Sequence, residues 1–261
     1  GSAGLVSAYI ASAVKAKVAL IEKHKMGGDC LNTGCVPSKA LIRSTKILSY
    51  IKRHKEFGLK SASAEFDFSE IMERVQSVIK KIEPHDSIER YSQLGVDCIT
   101  GSAKIVSPHE VEVNSKILTT KNIIVATGAR PAVPPIPGLD QVDFLTTDNL
   151  WDIRELPKRL VVAGGGPIGS ELAQCFARLE SQVTQVEMMP DILSREDDEI
   201  SQAIRQRFVA DGIDVRINTK CKEVVVENGK QFMICEKDGQ DQKIEFDKVL
   251  IAVGRAANAK G

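Results

Sequence analysis

The chain has 261 residues, of which 43% are hydrophobic and 27% charged, and its 35 basic residues balance its 35 acidic ones. This length suits two domains with separate cores, and this composition is typical of soluble globular proteins. The zero net charge argues against a nucleic-acid partner, and no apolar run reaches the roughly 20 residues that a membrane-spanning helix needs. Six cysteines are too few for a secreted disulfide scaffold. Because residues 1–14 also lack a basic leader, we expect a cytoplasmic protein without a signal peptide.

The first segment has the pattern of the later part of a βαβ nucleotide-binding unit. Residues 5–14 form an apolar, helix-prone stretch, and residues 18–22 form a short strand that ends in Glu22. Gly1 and Gly4 take the second and third glycine positions of a G-x-G-x-x-G fingerprint. Glu22 follows Gly4 by 18 residues, where a carboxylate can accept a hydrogen bond from a ribose 2′-hydroxyl.

Two cysteines come next, Cys30 and Cys35, with four residues between them. Pro37 suits the first turn of a helix, so we expect Cys35 at a helix N-terminus, where the helix dipole stabilises a thiolate. A flexible loop before that helix would let Cys30 fold back to within disulfide range of Cys35. Buried bystander cysteines and half of a metal site stay open as alternatives, although His24 has no second ligand near it.

The middle of the chain combines helical and strand-forming segments. Residues 66–94 are amphipathic, and Pro84 should bend or break the helix there. Strand candidates with the spacing of an antiparallel meander follow at residues 96–100, 103–106, 110–113 and 117–119. Residues 123–128 should form a buried strand that ends on a tight Ala-Thr-Gly turn. Four prolines within residues 131–137 then indicate a domain boundary.

Residues 159–187 carry all parts of a nucleotide-binding fingerprint in order. A buried strand at residues 159–163 leads into Gly164, Gly166 and Gly169, which permit a tight turn and close approach to a pyrophosphate at a helix N-terminus. The helix runs through residue 179, and the next strand ends in Glu187. Because a carboxylate accepts from a free 2′-hydroxyl but repels a 2′-phosphate, Glu187 favours NAD over NADP.

The remaining segments complete this second unit and repeat features of the first. We predict a helix at residues 198–211 and strands around residue 215 and at residues 224–226, 232–235 and 249–253. Gly169 and Glu187 have the same spacing as Gly4 and Glu22, and residues 126–128 and 252–254 form similar closing turns. This repetition predicts an α/β fold with two Rossmann-like dinucleotide-binding domains, each with a parallel sheet plus an antiparallel β-meander.

The decapeptide from Cys30 to Lys39, Cys-Leu-Asn-Thr-Gly-Cys-Val-Pro-Ser-Lys, resembles the redox-active motif of the class I pyridine nucleotide-disulfide oxidoreductases. Its Pro-Ser-Lys ending is most similar to the dihydrolipoyl dehydrogenase and mercuric reductase members of that flavoprotein family. Asp29 and Thr33 depart from the commoner Thr and Val, and the Asp29 carboxylate should raise the pKa of the Cys30 thiol. The resemblance extends over the whole chain, which matches about the first half of such an enzyme.

The resemblance implies FAD and NAD as cofactors, and electron transfer between NAD(H) and a disulfide or dithiol substrate. It makes Cys35 the thiol that faces the flavin, Cys30 the interchange thiol, and Lys39, paired with Glu171, a catalytic residue near the flavin. It divides the chain into a partial FAD-binding domain (1–135), an NAD-binding domain (136–255) and a return segment (256–261). The cofactor-binding positions that it implies are Gly1, Gly4, Glu22, Gly28, Lys39, Ala103, Thr127, Gly128, Gly164, Gly166, Gly169, Glu187, Gly254 and Arg255.

The resemblance further implies a homodimer for the full-length protein and an acid–base histidine outside this chain. None of His24, His54, His85 and His109 therefore receives that role, and we predict no metal site. A mercuric-reductase-like enzyme is one alternative. Another is a catalytically incompetent fragment that retains the fold of the NAD domain, in which case the chain alone should bind flavin poorly and show little activity.

Overall fold

A computed structural model describes residues 1–259. Within this part the chain forms two compact units. The first unit comprises Gly1–Pro37, Gln76–Arg130 and the chain from Ala257 onward. The second comprises Ser38–Val75 and Pro131–Ala256. The domain limits expected after residues 135 and 255 remain a prediction.

Most helices and strands follow the order that the sequence predicts, but the strand expected at residues 123–128 is absent from the described part of the chain and several further strands are present. The helices are α1 (Ser2–Ala13), α2 (Gly28–Asn32), α3 (Cys35–Lys52), α4 (Phe68–Ile82), α5 (Ile88–Gln93), α6 (Pro167–Arg178) and α7 (Asp198–Ala210). The strands are β1 (Val18–Glu22), β2 (Val96–Thr100), β3 (Ala103–Ser107), β4 (Glu110–Val113), β5 (Lys116–Thr119), β6 (Ala129–Pro131), β7 (Arg159–Ala163), β8 (Gln182–Val186), β9 (Asp214–Arg216), β10 (Lys220–Glu227), β11 (Lys230–Lys237), β12 (Gln240–Phe246), β13 (Lys248–Ile251) and β14 (Arg255–Ala257). Across residues 1–259, every helix is too short or too polar to cross a membrane.

In the first unit, β1 and β2 pair in parallel, with Val18 opposite Val96. The expectation that residues 96–100 belong to the antiparallel meander is therefore wrong, because the long connection through helices returns the chain in the same direction as β1. The meander consists of β3, β4 and β5 alone. Leu5 and Ala8 of α1 are buried in one cluster with Val96. Pro84 lies in a 3-10 turn between α4 and α5, as predicted from its missing amide donor.

The buried strand expected at residues 123–128 does not form. Ile124 and Val125 are 68% and 64% exposed. In the described part of the chain, the parallel sheet of the first unit contains β1 and β2 only, and residues 123–128 pair with neither strand. A parallel strand is buried where neighbouring strands pair with it and helices cover both faces, and the prediction assumed such surroundings.

In the second unit, four parallel strands lie in the order β13-β7-β8-β9. β7 is buried along Leu160–Ala163, which explains its continuous apolar sequence, because a central parallel strand is covered on both faces. α6 connects β7 to β8 and packs on both strands. β10, β11 and β12 form an antiparallel meander whose apolar face joins the same core, through Val224, Met233 and Ile244.

A close approach in this unit makes Gly138 sensitive to substitution. Its φ is +75°, and an added Cβ would lie 2.1 Å from the backbone oxygen of Val224. We expect Gly138→Ala to lower the free energy of unfolding by about 3 kcal/mol, because strain at positive φ and steric overlap act together. The measurement is urea unfolding followed by circular dichroism. Gly229→Ala is the matched control, with the same φ of +75° and no atom within 4 Å of the added Cβ. Equal losses in the two variants would contradict the steric argument.

Candidate functional site

α2 and the first turn of α3 position the two cysteines of the motif. Cys35 begins α3, as predicted from Pro37. The flexible loop expected around Cys30 is instead the short helix α2, which Asn32 stabilises by donating from Nδ2 to the backbone oxygens of Met26 (3.0 Å) and Gly28 (2.9 Å). An added Cβ at Gly34 would lie 2.9 Å from the backbone oxygen of Asp29, so glycine allows the chain to turn closely between the two cysteines.

Cys30 and Cys35 are both thiols, and their side chains share a hydrogen bond. Cys30 is partly buried and Cys35 is exposed. Burial raises the pKa of the Cys30 thiol, and the hydrogen bond and charge of Cys35 raise it further. The main causes are therefore burial and Cys35, and not the Asp29 carboxylate that the sequence suggested. The structure thus brings together two sulfurs that can exchange a disulfide.

Lys39 and Glu171 form an ion pair within the second unit. Lys39 Nζ donates to Oε1 and Oε2 of Glu171, both at 2.9 Å. Lys39 lies four residues after Cys35 on α3, and Glu171 lies in the first half of α6. Their side chains are 60% and 37% exposed. An exposed ion pair contributes little to the free energy of unfolding. A contribution to stability therefore does not explain this pair.

The glycine-rich turn after β7 is closely packed on one side and open on the other. An added Cβ at Gly164 would lie 2.4 Å from the backbone oxygen of Ala252, and one at Gly169 would lie 2.3 Å from that of Gly164. Gly166, the N-cap of α6, has no atom within 4 Å of its added Cβ. The turn therefore presents an open space at a helix N-terminus, where the positive end of the dipole favours an anionic group.

Glu187 follows β8 directly, and its side chain binds the backbone of this glycine-rich turn. Its Oε2 accepts from the Gly165 amide at 2.5 Å, and its Oε1 accepts from the Met189 amide at 2.8 Å. These two bonds fix the carboxylate next to the glycines, and a carboxylate oxygen has lone pairs for a further donor such as a hydroxyl. This arrangement suits a dinucleotide with its pyrophosphate at α6 and a ribose at Glu187.

Two buried polar residues beneath the turn were not identified from the sequence. Gln185 Nε2 donates to the backbone oxygen of Gly164 (3.1 Å) and to Ser170 Oγ (3.2 Å), and Ser170 Oγ donates to the backbone oxygen of Gly165 (3.1 Å). Gln185 is fully buried. A glutamine between valine positions of β8, a strand of the central parallel sheet, was the available signal, because a buried amide needs hydrogen-bond partners.

The first unit contains a similar arrangement around Glu22. Glu22 Oε1 accepts from the His24 amide at 3.0 Å, and Oε2 accepts from the Gly1 backbone nitrogen at 3.0 Å. Burial opposes ionisation of Glu22, whereas the hydrogen bonds from the backbone amides of His24 and Lys23 lower its pKa. An added Cβ at Gly28 would lie 2.3 Å from the Gly1 Cα, and one at Gly4 would lie 3.6 Å from the Ala126 Cβ.

The closing turn of the first unit is held by Asn258, which the sequence did not single out. Thr127 Oγ1 donates to the backbone oxygen of Asn258 at 2.9 Å, and Asn258 Nδ2 donates to that of Thr127 at 3.0 Å. The Asn258 amide also donates to the backbone oxygen of Gly128 at 2.9 Å. Gly128 has a φ of +73° and open space beside it.

The remaining predicted positions lie at exposed sites. Gly254 has a φ of +134° and no atom within 4 Å of its added Cβ, and Arg255, which follows it, is exposed at the start of β14. Ala103 is exposed at the start of β3, opposite Val113. Their proposed contacts with a cofactor remain predictions.

Comparison with known proteins identifies relatives over the full length of the chain. The model of the pyridine nucleotide-disulphide oxidoreductase family matches residues 1–261. The chain is 35% identical over 261 residues to mercuric reductase from Staphylococcus aureus, covering 100% of this chain and 48% of the relative. It is 38% identical over 266 residues to dihydrolipoyl dehydrogenase from Acholeplasma laidlawii, covering 100% of this chain and 78% of the relative.

A similar solved structure is the HOCl-induced flavoprotein disulfide reductase RclA from Escherichia coli. Its TM-score is 0.83 at 27% sequence identity, and the alignment covers 100% of this chain and 56% of RclA. The chain therefore spans about half the length of RclA and of the staphylococcal mercuric reductase.

Proposed function

Because the chain belongs to the pyridine nucleotide-disulphide oxidoreductase family, we propose that the full protein is an FAD-dependent oxidoreductase of the dihydrolipoyl dehydrogenase type. It moves electrons between NAD(H) and a disulfide or dithiol substrate through Cys30 and Cys35. The observation that carries this proposal is the interaction of the Cys30 thiol, on α2, with the Cys35 thiol at the start of α3. It supports a pair that can cycle between dithiol and disulfide.

The thiols exchange with substrate in two steps. In the direction of substrate reduction, the Cys30 thiolate attacks a substrate sulfur, forms a mixed disulfide and releases one substrate thiolate. The Cys35 thiolate then attacks the Cys30 sulfur, which forms the Cys30–Cys35 disulfide and releases the second substrate thiolate. Two electrons pass from the protein to the substrate, and the reverse sequence oxidises a dithiol. The raised pKa of Cys30 predicts that the first step accelerates as pH rises.

The residues of the first unit fit an adenine dinucleotide at Glu22 and the N-terminus of α1. Glu22 is ionised and fixed by backbone contacts, which suits a ribose hydroxyl, and Thr127 and Gly128 form an ordered turn with open space at Gly128. When bound, FAD would supply the two-electron relay between the nicotinamide and the sulfurs. Cys35 is exposed, so a planar ring can approach its sulfur.

Glu187 should determine the preference for NAD in the second unit. We expect Glu187→Gln to weaken NADH binding by about 10-fold, because a hydrogen bond to a charged group contributes about 1.5–3 kcal/mol, while NADPH affinity stays constant or improves. Fluorescence titration of both nucleotides measures this. Glu180→Gln, an exposed residue after α6, is the control and should change neither affinity. A parallel loss for NADH and NADPH would show that Glu187 does not contact the ribose.

The Lys39–Glu171 pair is proposed to act in catalysis rather than in folding. We expect Lys39→Met and Glu171→Gln to reduce turnover by about 10-fold or more, while the free energy of unfolding falls by less than about 1 kcal/mol. Turnover with lipoamide and urea unfolding give the two quantities. Glu56→Gln breaks another surface ion pair, with Arg53, and should leave turnover unchanged. If activity and stability fall in proportion, the pair is structural.

A mercuric-reductase-like enzyme is the second candidate, supported by the similarity to the staphylococcal mercuric reductase. The test compares NADH and NADPH oxidation by the full-length protein with lipoamide, glutathione disulfide and mercuric ion. Fast NADH oxidation with lipoamide supports the first proposal, and activity confined to mercuric ion supports the second. No turnover with any acceptor would overturn both. The family resemblance also supports a homodimer, which light scattering of the full-length protein would test. The low cysteine count supports a cytoplasmic location, which cell fractionation would test.

A further inference from the structure

A second pair of cysteines lies in the meander of the second unit. Cys221 on β10 and Cys235 on β11 are directly opposite each other in the antiparallel ladder. Their Sγ atoms are 4.0 Å apart. Cys235 is fully buried in the core cluster, and Cys221 packs against that cluster at its partly exposed edge.

A β-bulge creates this pairing. The turn at Asn228 and Gly229 sets a register in which Glu223 is opposite Ile234, and an unbroken ladder would place Lys222 opposite Cys235. The register shifts between Cys221 and Glu223, so that Cys221 takes this position instead. Bulges direct side chains at particular sites, and here the extra residue aligns the two sulfurs.

The backbone geometry suits a bond between these sulfurs. Directly opposed residues of an antiparallel pair have Cα atoms about 4.5–5.5 Å apart, within the roughly 4.4–6.8 Å that disulfides span. Rotation about χ1 can close the remaining gap between the sulfurs. The bulge next to Cys221 interrupts the ladder, so β10 can adjust locally.

The charges around the pair favour a single thiolate. The hydrogen bond with Cys235, burial and the Glu187 carboxylate all raise the pKa of the Cys221 thiol, while the same hydrogen bond lowers that of Cys235. The pair therefore loses its first proton more easily than its second, as expected for coupled groups. A dithiol with one thiolate is the form that reacts with oxidants.

A metal site explains this pair less well. Structural metal sites of thiolates use about four ligands, and the described residues contain no group of three or more His, Cys, Asp or Glu side chains that could hold a metal. Two thiols in direct contact, one of them within the core, fit oxidation to a disulfide better.

We propose that Cys221 and Cys235 form a second redox-active dithiol, which hydroperoxides close to a cross-strand disulfide. In the first step the thiolate attacks a peroxide oxygen, the O–O bond breaks, and one sulfur becomes a sulfenic acid. In the second step the other sulfur attacks the sulfenic sulfur, the S–S bond forms and water leaves. Two thiols and hydrogen peroxide thus give one disulfide and two water molecules. Neither step requires Cys30 or Cys35.

Peptide mapping tests the proposal on the intact protein. Wild-type protein is treated with graded hydrogen peroxide, alkylated with iodoacetamide in urea and digested with trypsin without reduction. Trypsin releases the dipeptide 221–222 and the peptide 231–237, and we expect these two to be joined in most molecules and separated by dithiothreitol. Cys175 is the internal control, because it is equally buried but has the Thr45 hydroxyl at 3.6 Å instead of a thiol. Cys175 should stay a thiol during the peroxide treatment and should therefore be alkylated by iodoacetamide.

Cys221→Ser separates this pairing from other crosslinks. In that variant the linked peptides should disappear, and Cys235 should be joined to no other cysteine at the same peroxide dose. The proposal is overturned if Cys221 is converted to sulfinic acid without a link, if it links to another cysteine, or if both thiols survive doses that oxidise Cys30 and Cys35. If the variant does not fold, the wild-type map alone decides.

Discussion

Replacing Cys35 with serine is expected to reduce lipoamide turnover by the full-length protein on the order of 10³-fold or more, because the disulfide can no longer form. The long-wavelength absorption band that such a protein develops on two-electron reduction should disappear as well. Stopped-flow spectroscopy and steady-state assays with NADH measure the two effects. A band or a turnover that survives the substitution would show that Cys35 is not the sulfur next to the flavin.

The same variant gives a readout that does not depend on activity. Cys35 raises the pKa of the Cys30 thiol, so its removal should shift alkylation of Cys30 by iodoacetamide to lower pH. Cys98→Ser is the matched control, since Cys98 is another partly buried thiol of the first unit. It should change neither turnover nor the pH dependence of Cys30 alkylation.

Gly166→Ala is expected to weaken NADH binding by at least about 10-fold, equivalent to about 1.4 kcal/mol, without loss of stability. The φ of Gly166 is −71° and its added Cβ meets no protein atom, so alanine fits the fold. The methyl group would, however, occupy the space in which a pyrophosphate approaches the N-terminus of α6. Isothermal titration with NADH and thermal unfolding separate the two effects.

Gly169→Ala provides the contrast within the same turn. Its Cβ would lie 2.3 Å from the backbone oxygen of Gly164, so both stability and NADH binding should fall. If Gly166→Ala binds NADH like the wild type, the nucleotide does not contact this turn and the assignment of the second unit is wrong.

The bounds of several strands could be predicted because their residues have local signatures, although the sheet to which β2 belongs could not. β1, β2, β4 and β7 have the predicted bounds, since short apolar runs between polar turns indicate buried strands. β12 was not predicted, because Ile244 and Phe246 are the buried side chains in an otherwise polar segment. α2 was also missed, since five residues show no helical periodicity and Asn32 stabilises the helix through contacts outside it.

The candidate site likewise contains residues that could be predicted from the sequence and residues that could not. Glu187 and the glycines were predicted from their spacing, because the strand, turn and helix impose that spacing on any nucleotide-binding unit. Gln185 and Asn258 could not be found by spacing, since their roles depend on tertiary hydrogen bonds. The pairing of Cys221 with Cys235 depends on a bulge at Lys222, and no local pattern in the sequence predicts where a strand gains an extra residue.

The hydrogen bonds between Thr127 and Asn258 join residues 131 positions apart. A ribosome therefore delivers Asn258 only after the whole of Pro131–Ala256 has been synthesised. Domains commonly fold during translation from the N-terminus onward, but here the second unit is complete before the Thr127–Gly128 turn receives its partner. The first unit can therefore complete its fold only after Pro131–Ala256 has been synthesised, and the second unit can fold before the first unit does.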